Sequence, residues 1–501
     1  MTDRPLTANT PVKLSLATLD QIPANVITPS YERDSVSRGI LHFGPGNFHR
    51  SHQAVYLDQL MNNGSDLDWG IVGATVMQGD SALRSTMLEQ DLLTTVVTQS
   101  AVTSEARITA AMIDYLPVAD SAAILATMAD PAIRIVSLTV TEGGYFVDAA
   151  TGRFDTQHPA IQADVENFDL PNTVFGLIVK GLATRRELGA PAFTVMSCDN
   201  LPHNGSAARA AVVGMARLVD GALADWIENN SSFPNGMVDR ITPATGDLER
   251  ERVRSLFGIA DETPVFCEDY LQWVLEDNFV AGRPAFENAG VQIVEDVAPF
   301  ELMKIRILNG GHAVLAYPAG LLGIEFAHEA MQNDLVRNFV QKVQQYEIAP
   351  VVPPVPGVNL DAYRSSVVQR FANPAIKDTI SRLCLDGSNR QPKFIVPTLT
   401  DRLRDGTSIE GLALACALWC RYCEGTTESG EVIPPNDPSW DYLQSKAKES
   451  QSNPAAWLSM RDVYGDLGDD ERFQKSFTDA LTGIRTEGVV AMLTRYVDAA
   501  P

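Results

Sequence analysis

Apolar residues in the first half of the chain form short, nearly continuous runs, separated by stretches with helical periodicity. Such runs are typical of parallel strands that are buried on both faces of a sheet. The predicted strands cover residues 39–43, 69–76, 133–140, 192–197 and 290–293. Helical stretches lie between them, for example residues 51–61 and 174–187. The first half is therefore predicted to be an α/β domain.

The character of the sequence changes near residue 295. From there, segments with the apolar period of a helix follow one another, separated by loops rich in Pro, Gly and Asn. The predicted helices cover residues 300–308, 334–346, 361–371, 374–385, 409–422 and 473–497. We therefore predict an α/β domain over residues 1–294 and a mostly helical domain over residues 295–501.

Charge and hydropathy narrow the class of protein. The 501 residues include 39 Lys and Arg and 63 Asp and Glu, which gives a net charge of −24. An acidic surface disfavours nucleic acid and anionic lipid as partners. No apolar run reaches the ~20 residues that a membrane helix needs. The first five residues, Met-Thr-Asp-Arg-Pro, do not resemble a signal peptide.

The cysteines indicate a reducing compartment. Three are isolated and three follow one another at helical spacing in an apolar segment, at Cys198, Cys267, Cys384, Cys416, Cys420 and Cys423. We interpret them as buried thiols, with a redox or zinc cluster as the alternative. The protein is expected to be cytoplasmic. No heptad seam is visible, and we expect a monomer.

A glycine-containing turn follows the first predicted strand. Strand, turn and helix N-terminus in this order can hold a dinucleotide diphosphate, because glycines let the backbone approach and the helix end is positively polarised. The third glycine of the usual fingerprint is missing, and a plain tight turn remains the alternative. The candidate cofactor-binding residues are Gly44, Gly46, Asn47, Phe48, His49 and Arg50.

An acidic residue follows the second predicted strand. Asp80 comes shortly after residues 69–76. A carboxylate there would accept from the hydroxyls of the adenosine ribose and repel a 2′-phosphate, which favours NAD over NADP. A solvated loop aspartate is the alternative.

Polar residues at helical spacing mark the start of the second domain. Lys304, Leu308 and His312 step by four, which predicts one helical face, with Glu301 on the same side and Asn309 one residue off it. Two adjacent glycines at 310–311 cost ~1 kcal/mol each in a helix and indicate close approach of another group. An ordinary amphipathic helix with a surface lysine is the alternative.

This residue set suits the oxidation of an alcohol without a metal. Lys304 accepts the hydroxyl proton if burial or a nearby cation lowers its pKa from about 10.4. Asn309 and His312 donate to the alcohol oxygen. The seven histidines form no His-x-x-His pair and none pairs with a nearby cysteine, so no metal is predicted.

These motifs resemble the polyol-specific long-chain dehydrogenases of the mannitol dehydrogenase family. Its signature Lys-x4-Asn-x2-His stands at Lys304, Asn309 and His312. Further similar runs cover residues 137–145, 193–205, 238–243 and 272–279. The resemblance extends from Gly39 to about Pro397.

The resemblance implies a Rossmann-type N-terminal domain, a helical C-terminal domain, NAD as cofactor and no metal. It implies Lys304 as the general base, Asn309 and His312 as groups that bind and polarise the reacting oxygen, and Glu301 as the gate of a proton path. The reaction it implies is oxidation of D-mannitol to D-fructose and the reverse. Asp80 matches the family's acidic residue that favours NAD.

The substrate contacts that the resemblance implies are Asn200, Asp239, Arg382 and Arg390. Two positions depart from the family pattern: Gly79 stands where a second acidic residue is common, and Arg390 where mannitol enzymes commonly have Lys. Strictness for NAD and the preferred sugar therefore stay open. D-arabinitol oxidation, reduction of a hexuronate such as fructuronate, and a catalytically silent NAD-binding sensor are the alternatives.

Overall fold

The structure is a computed structural model that describes residues 10–147 and 153–500. The chain divides into two compact units, Met1–Val297 and Ala298–Pro501. The five N-terminal residues discussed above lie outside the described residues. None of the described helices is both long and apolar enough to cross a bilayer.

The first unit contains several sheets. Its strands are β1 (Val12–Lys13), β2 (Val26–Ile27), β3 (Arg38–Phe43), β4 (Gly70–Ala74), β5 (Thr94–Gln99), β6 (Ser104–Thr109), β7 (Met112–Tyr115), β8 (Ile135–Leu138), β9 (Thr194–Ser197), β10 (Gly236–Asp239), β11 (Ile259–Ala260), β12 (Val265–Glu268), β13 (Gln272–Glu276) and β14 (Gln292–Val294). Its helices are α1 (Asn47–Ser51), α2 (Gln53–Asn62), α3 (Ser81–Glu89), α4 (Ser121–Ala129), α5 (Pro159–Glu166), α6 (Val174–Leu188), α7 (Asn204–Val219), α8 (Gly221–Asn230) and α9 (Asp247–Phe257). Short 3-10 helices cover Leu16–Gln21, Arg33–Ser35, Gln78–Asp80, Glu142–Tyr145 and Phe286–Ala289.

The central sheet has five parallel strands in the order β7-β4-β3-β8-β9. Counted from β3, this is the strand order 3-2-1-4-5 of a Rossmann fold, whose direction reverses beside β3. The predicted α/β fold class with a Rossmann-type domain is confirmed. Four predicted strands belong to this sheet, whereas the predicted strand at residues 290–293 lies near β14, in a separate sheet with β10 and β13.

Apolar side chains cover both faces of the central sheet, as the continuous apolar runs predict. Leu41 and Phe43 of β3 belong to the core under α4, α6 and α7, while Ile40 belongs to the core under α2. All three side chains are fully buried. Their alternation follows from the two-residue period of a strand.

The remaining strands form smaller sheets. One is four-stranded in the order β12-β5-β6-β2, one is three-stranded in the order β10-β13-β14, and β1 pairs with β11. Strand β10 runs antiparallel to β13, so its last residue, Asp239, lies opposite Gln272.

The second unit is helical throughout its described residues, apart from isolated bridges. Its helices are α10 (Ala298–Met303), α11 (Gly310–Leu321), α12 (Ala327–Gln332), α13 (Asp334–Val343), α14 (Leu360–Phe371), α15 (Ile380–Leu383), α16 (Gly387–Phe394), α17 (Val396–Arg404), α18 (Glu410–Tyr422), α19 (Trp440–Glu449), α20 (Ala455–Leu458), α21 (Arg461–Tyr464), α22 (Glu471–Glu487) and α23 (Val489–Asp498). Lys304–Asn309 and Gln344–Ile348 are π-helical, and Ala349–Val351 and Gly465–Asp469 are 3-10 helices.

Two predicted helices differ from the structure. The segment 473–497 is split into α22 and α23 by Gly488, whose φ of 91° cannot continue a helix. The segment 374–385 is helical only over α15, because the chain before it contains Lys377 at a φ of 51°.

All six cysteines are free and buried. Burial raises the pKa of Cys416 and of Cys420 to about 12, so both thiols stay protonated and unreactive near neutrality. Cys416 and Cys420 lie in α18, which is almost entirely enclosed by its neighbours. The interpretation as buried thiols is therefore favoured over a redox cluster.

A buried arginine of α6 gives a prediction about stability. Arg185 is 1% exposed. Its guanidinium donates to four carbonyls, those of Met128 (2.7 Å), Asp130 (2.6 Å), Ile133 (2.6 Å) and Pro191 (2.9 Å). We expect Arg185→Met to lower the free energy of unfolding by about 3–5 kcal/mol in chemical denaturation, because it leaves buried acceptors without donors.

The neighbouring Arg186 is the matched control. It is exposed, and its partner among the described residues is Asp220, at 3.5 Å. Arg186→Met should change the unfolding free energy by about 0.5 kcal/mol or less. Equal effects of the two substitutions would show that the carbonyl contacts of Arg185 contribute little.

Candidate active site

The glycine turn between β3 and α1 has an open outer face and a crowded inner face. Gly44 has a φ of 86°, and a Cβ there would lie 2.4 Å from the carbonyl oxygen of Thr139. Gly46 caps α1, and a Cβ there would meet nothing nearer than 3.8 Å. The turn therefore offers bare backbone on the side away from the sheet, which fits the close approach of a diphosphate.

Two of the predicted cofactor-binding residues lie beneath this turn. His49 is 1% exposed and stacks on His42 with ring centroids 3.6 Å apart. Arg50 is 2% exposed and donates to the side chain of Asn47 at 2.7 Å and to the carbonyl of Thr263. Burial lowers the pKa of His42 to about 3, so its ring is neutral. These contacts favour support of the turn as the role of His49 and Arg50.

Asp80 lies after β4, at the start of α3. Its carboxylate accepts from the hydroxyl of Thr75 at 2.5 Å, which fixes its position beside the strand end. A Cβ added at Gly79 would meet nothing within 4 Å. The space for the family's second acidic residue is therefore present, although the residue is not.

A buried carboxylate joins the ends of β8 and β9. Asp199 accepts from the backbone of Thr141 at 2.8 Å and of Val140 at 3.1 Å, and from the hydroxyl of Tyr145 at 2.7 Å. Asn200, a predicted substrate contact, follows directly and is exposed. Neither Asp199 nor Tyr145 was predicted from the sequence to be a positioning group, although both stand in runs that resemble the family.

A buried amide joins β9 to β10. Asn204 is fully buried, donates to the carbonyls of Ser197, Asp199 and Gly236, and accepts from the backbone of Gly236 at 2.9 Å. Asp239, the other predicted substrate contact of this unit, ends β10 and is 4% exposed.

Arg240 then connects the end of β10 to α1. It donates to the carbonyls of Glu268 and Ser51 and to the hydroxyl of Thr98. The predicted Asp-Arg motif is thus fixed by contacts of the arginine with three separate elements, and Arg240 is one more positioning group that sequence reasoning did not separate from its neighbour.

In the second unit, the signature residues lie on one continuous helical segment with a π-helical turn. Helix α10 leads into the π-helix Lys304–Asn309, which continues as α11. The backbone amide of Gly310 donates to the carbonyl of Ile305, five residues earlier. The π-turn inserts one residue into the segment that was predicted as a regular helical face of Lys304, Leu308 and His312. Lys304 and Asn309 are the first and last residues of the π-helix, five positions apart.

Burial differs among the four predicted catalytic residues. Glu301 is 6% and Lys304 is 7% exposed, while Asn309 and His312 are half-buried. The ring of His312 stacks on Phe371 of α14 with centroids 4.1 Å apart and an interplanar angle of 22°.

Both glycines after the π-helix are approached by other groups, as predicted. A Cβ at Gly310 would lie 3.3 Å from the carbonyl oxygen of Phe394, and one at Gly311 would lie 2.3 Å from the amide nitrogen of Gln344.

The two predicted substrate-binding arginines of this unit lie side by side with local partners. Arg382 donates twice to the carboxylate of Asp378, at 2.6 and 2.5 Å. Arg390 donates to the carbonyls of Arg382 and Leu383, at 3.4 and 3.2 Å. Among the residues that the structure describes, no group of three or more His, Cys, Asp or Glu side chains could hold a metal ion.

Two known domain families match most of the chain. The mannitol dehydrogenase Rossmann domain matches residues 38–288, and the mannitol dehydrogenase C-terminal domain matches residues 296–485. The chain belongs to the mannitol dehydrogenase family.

Individual relatives in this family match over nearly their whole length. A mannitol 2-dehydrogenase of Cereibacter sphaeroides is 52% identical, over 95% of this chain and 99% of the relative. Another of Neosartorya fischeri is 41% identical, over 97% and 100%.

Two solved structures also match. Pseudomonas fluorescens mannitol 2-dehydrogenase in a ternary complex with NAD and D-mannitol has a TM-score of 0.87 at 40% identity, over 98% of this chain and 100% of that one. A D-sorbitol dehydrogenase in substrate-free form has a TM-score of 0.90 at 36% identity, over 96% and 100%.

The crowding at Gly44 gives a prediction about dinucleotide binding. Gly44→Ala puts a methyl group against the Thr139 carbonyl at a positive φ. We expect the turn to shift and the affinity for NADH, measured by fluorescence titration, to fall at least about tenfold.

Gly221→Ala is the control, because Gly221 starts α8 at an ordinary φ with no atom near its Cβ position. It should leave the affinity for NADH unchanged. Unaltered NADH binding in the Gly44 variant would exclude the turn as the diphosphate site.

Proposed function

We propose that this chain is an NAD-dependent polyol dehydrogenase that oxidises D-mannitol to D-fructose and catalyses the reverse reaction. The observation that carries the proposal is the match, over nearly the whole chain, to mannitol 2-dehydrogenases, together with the intact set of Lys304, Asn309 and His312 at the π-helix. D-mannitol and NAD are the ligands of the Pseudomonas fluorescens relative.

The first unit holds the dinucleotide. The bare backbone at Gly44 and Gly46 receives the diphosphate, and Asp80 accepts from the adenosine ribose. When bound, NAD⁺ supplies the nicotinamide carbon that takes the hydride from C2 of the polyol. Asn47 and Phe48 are half-buried at the mouth of the turn and line this site.

Lys304 accepts the proton of the reacting hydroxyl. No metal is assigned, so the proton needs a side-chain acceptor, and Lys304 is a nearly buried amine one π-turn from Asn309. Asn309 and His312 donate to the developing alkoxide, and stacking on Phe371 fixes the plane of the His312 ring. Glu301, one turn earlier, passes the proton from Lys304 towards solvent.

Asn200 and Asp239 bind the hydroxyl groups of the substrate. An amide both donates and accepts, and a carboxylate accepts from two hydroxyls, so the pair suits a row of neutral hydroxyls. Asn200 is exposed immediately after the fixed Asp199, and Asp239 ends β10. Asn200 also contributes a donor to the alkoxide.

The arginines favour a neutral polyol over a hexuronate. A carboxylate substrate needs free cationic donors, but Arg382 is paired twice with Asp378 and Arg390 donates to two backbone carbonyls. Both keep further N–H groups for hydroxyls, since a guanidinium has five donors. We therefore rank D-fructuronate reduction and D-arabinitol oxidation below mannitol oxidation as candidate activities.

We further propose a monomer in the cytoplasm that acts on small molecules only, without nucleic acid or membrane partners. Six buried, unpaired cysteines support a reducing compartment. The net charge of −24 opposes binding to phosphate backbones and anionic lipids.

The substrate assignment is tested by NADH absorbance with a panel of sugars. We expect kcat/KM to be highest for D-mannitol and D-fructose, lower for D-arabinitol and D-sorbitol, and far lower for D-fructuronate, because paired arginines and Asp239 disfavour a carboxylate. A higher efficiency for D-fructuronate than for D-fructose would reassign the chain to hexuronate reduction. No turnover of any sugar, with NADH still bound, would support a silent sensor.

The general base is tested by Lys304→Ala. We expect kcat to fall by about 10²–10⁴-fold while the affinity for NADH is unchanged, because only proton transfer loses its acceptor. Lys475→Ala is the control, since Lys475 is exposed and forms an ion pair with the exposed Asp479 at 2.9 Å. Near-normal turnover in Lys304→Ala would remove this lysine from the reaction.

Cofactor selectivity is tested by paired substitutions. Asp80→Ala should raise the ratio of kcat/KM for NADP to that for NAD by about one to two decades, since a charge-assisted hydrogen bond is worth ~1.5–3 kcal/mol. Gly79→Glu should lower the ratio, because the open space there admits a second carboxylate. An unchanged ratio in Asp80→Ala would show that Asp80 does not face the ribose.

A further inference from the structure

The π-helix that carries Lys304 and Asn309 must be stabilised by contacts with the rest of the protein, because an α-helix is the more stable form of an isolated segment. In the π-turn the backbone amide of Gly310 donates to the carbonyl of Ile305, five residues earlier, and also to that of Ile307, three residues earlier. The hydrogen-bond ladder is therefore out of register around it. The carbonyl of Ile307, in the middle of the π-helix, accepts a side-chain donor from another helix.

That donor is Gln344. Its amide nitrogen lies 3.0 Å from the Ile307 carbonyl oxygen, and its side chain is fully buried. The amide oxygen has no hydrogen-bond partner among the described residues. A buried amide whose oxygen makes no hydrogen bond is unfavourable. We therefore take the bond from the amide nitrogen to the Ile307 carbonyl as the main interaction of this side chain.

Gly311 makes room for this contact. A methyl group at position 311 would lie 2.3 Å from the Gln344 amide nitrogen and 3.2 Å from the ring of Phe371. Gly311 has an ordinary φ, so its lack of a side chain serves packing rather than backbone conformation. Gly311 therefore lies against both the amide of Gln344 and the ring of Phe371, which stacks on His312.

The position of Gln344 is fixed by contacts of the helical segment that contains it. It begins the second π-helix, Gln344–Ile348, in which the buried carboxylate of Glu347 accepts from the backbone of Gly411 at 2.7 Å and of Leu412 at 2.9 Å, and from the hydroxyl of Tyr496 at 2.8 Å. The start of α18 therefore fixes the second π-helix, and the second π-helix places the amide.

The first π-helix has a second attachment. Arg306 forms an ion pair with Asp401 at 2.5 Å and donates to the carbonyl of Val351 at 3.1 Å. This contact anchors the segment through a side chain, whereas Gln344 bonds directly to a backbone carbonyl of the π-helix that the amide of Gly310 also reaches.

We propose that Gln344 is a positioning residue whose bond to the Ile307 carbonyl maintains the π-helical register, and thereby the five-residue alignment of Lys304 with Asn309 at the reacting oxygen. Gln344 does not touch substrate in this role. The kinetic part rests on the proposed function; the structural part does not.

Gln344→Met tests the proposal with nearly unchanged side-chain length and no donor. We expect kcat to fall by about 10- to 100-fold, because a misplacement of about 1 Å at the reacting groups has an effect of this size. The affinity for NADH should stay as in the wild type, since the turn at Gly44 is untouched. Gln345→Met is the control, because Gln345 is the exposed neighbour in the same π-helix.

The pH dependence of a Gln344→Glu variant distinguishes a hydrogen-bonding role of Gln344 from a role in packing alone. A carboxyl group donates to a carbonyl only when protonated, and burial raises its pKa. The rate of this variant relative to the wild type should therefore be near one at low pH and fall to the level of Gln344→Met as pH rises through that pKa. A ratio that stays at the level of Gln344→Met at every pH would overturn the proposal.

Gly311→Ala provides an independent approach should the Gln344 variants fold poorly. Its methyl group displaces the amide from Ile307, so kcat should fall as in Gln344→Met. In a Gln344→Ala background, which removes the clash, the added methyl should cause little further loss. Fully additive losses would contradict a shared cause.

A crystal structure of Gln344→Met separates this inference from the proposed function. The expected result is loss or displacement of the π-turn at residues 304–309, which is observable whether or not the wild type oxidises mannitol. A retained π-turn together with wild-type kcat would overturn the role of Gln344. Absence of turnover in the wild type would reject the proposed function alone.

Discussion

The five-residue hydrogen bond between Ile305 and Gly310 is the constraint on which the proposed chemistry of the second unit depends. It replaces the α-helical step within the segment whose first and last residues are Lys304 and Asn309. It also explains the local sequence: two consecutive glycines are unfavourable in a helix by ~1 kcal/mol each, yet both positions are approached by other groups, a carbonyl at Gly310 and the Gln344 amide at Gly311. A segment that is locally unfavourable and held from outside is typical of a functional site.

The first unit fixes its functional groups differently, through buried polar side chains at the ends of strands. Asp199 binds the chain beyond β8, Asn204 joins β9 to β10, and Arg240 ties the end of β10 to α1. Each satisfies several backbone groups at once, so removing any of them would leave buried donors or acceptors unpaired. Asn200, the proposed substrate contact, directly follows Asp199 at this edge and is exposed. Rigid support of this kind is what alignment of a polyol for hydride transfer requires.

Much of this arrangement could be predicted from sequence, because strands buried on both faces are continuous apolar runs and the glycine turn follows the first of them. The π-turn could not, because a single inserted residue is defined by a backbone hydrogen bond between residues five apart, which a short apolar pattern does not report. Strand β7 was missed because Asp114 interrupts a run of only four residues. The pairing of Arg382 with Asp378 was missed for another reason: residues 374–385 were predicted as one helix, whereas only α15 forms. Positioning groups such as Asp199 and Gln344 carry no spacing signal, because their partners are backbone atoms distant in sequence.

The central claim is that the π-helical register presents Lys304 and Asn309 together to one alcohol oxygen, without a metal. A crystal structure of the wild-type chain with NADH and D-mannitol tests it most directly. The account predicts a π-turn over residues 304–309, with the amine of Lys304 and the amide of Asn309 both within hydrogen-bonding distance of the same substrate hydroxyl, ~2.7–3.2 Å. An α-helical segment, a hydroxyl that contacts only one of these two groups, or a metal ion bound to the hydroxyl would contradict it.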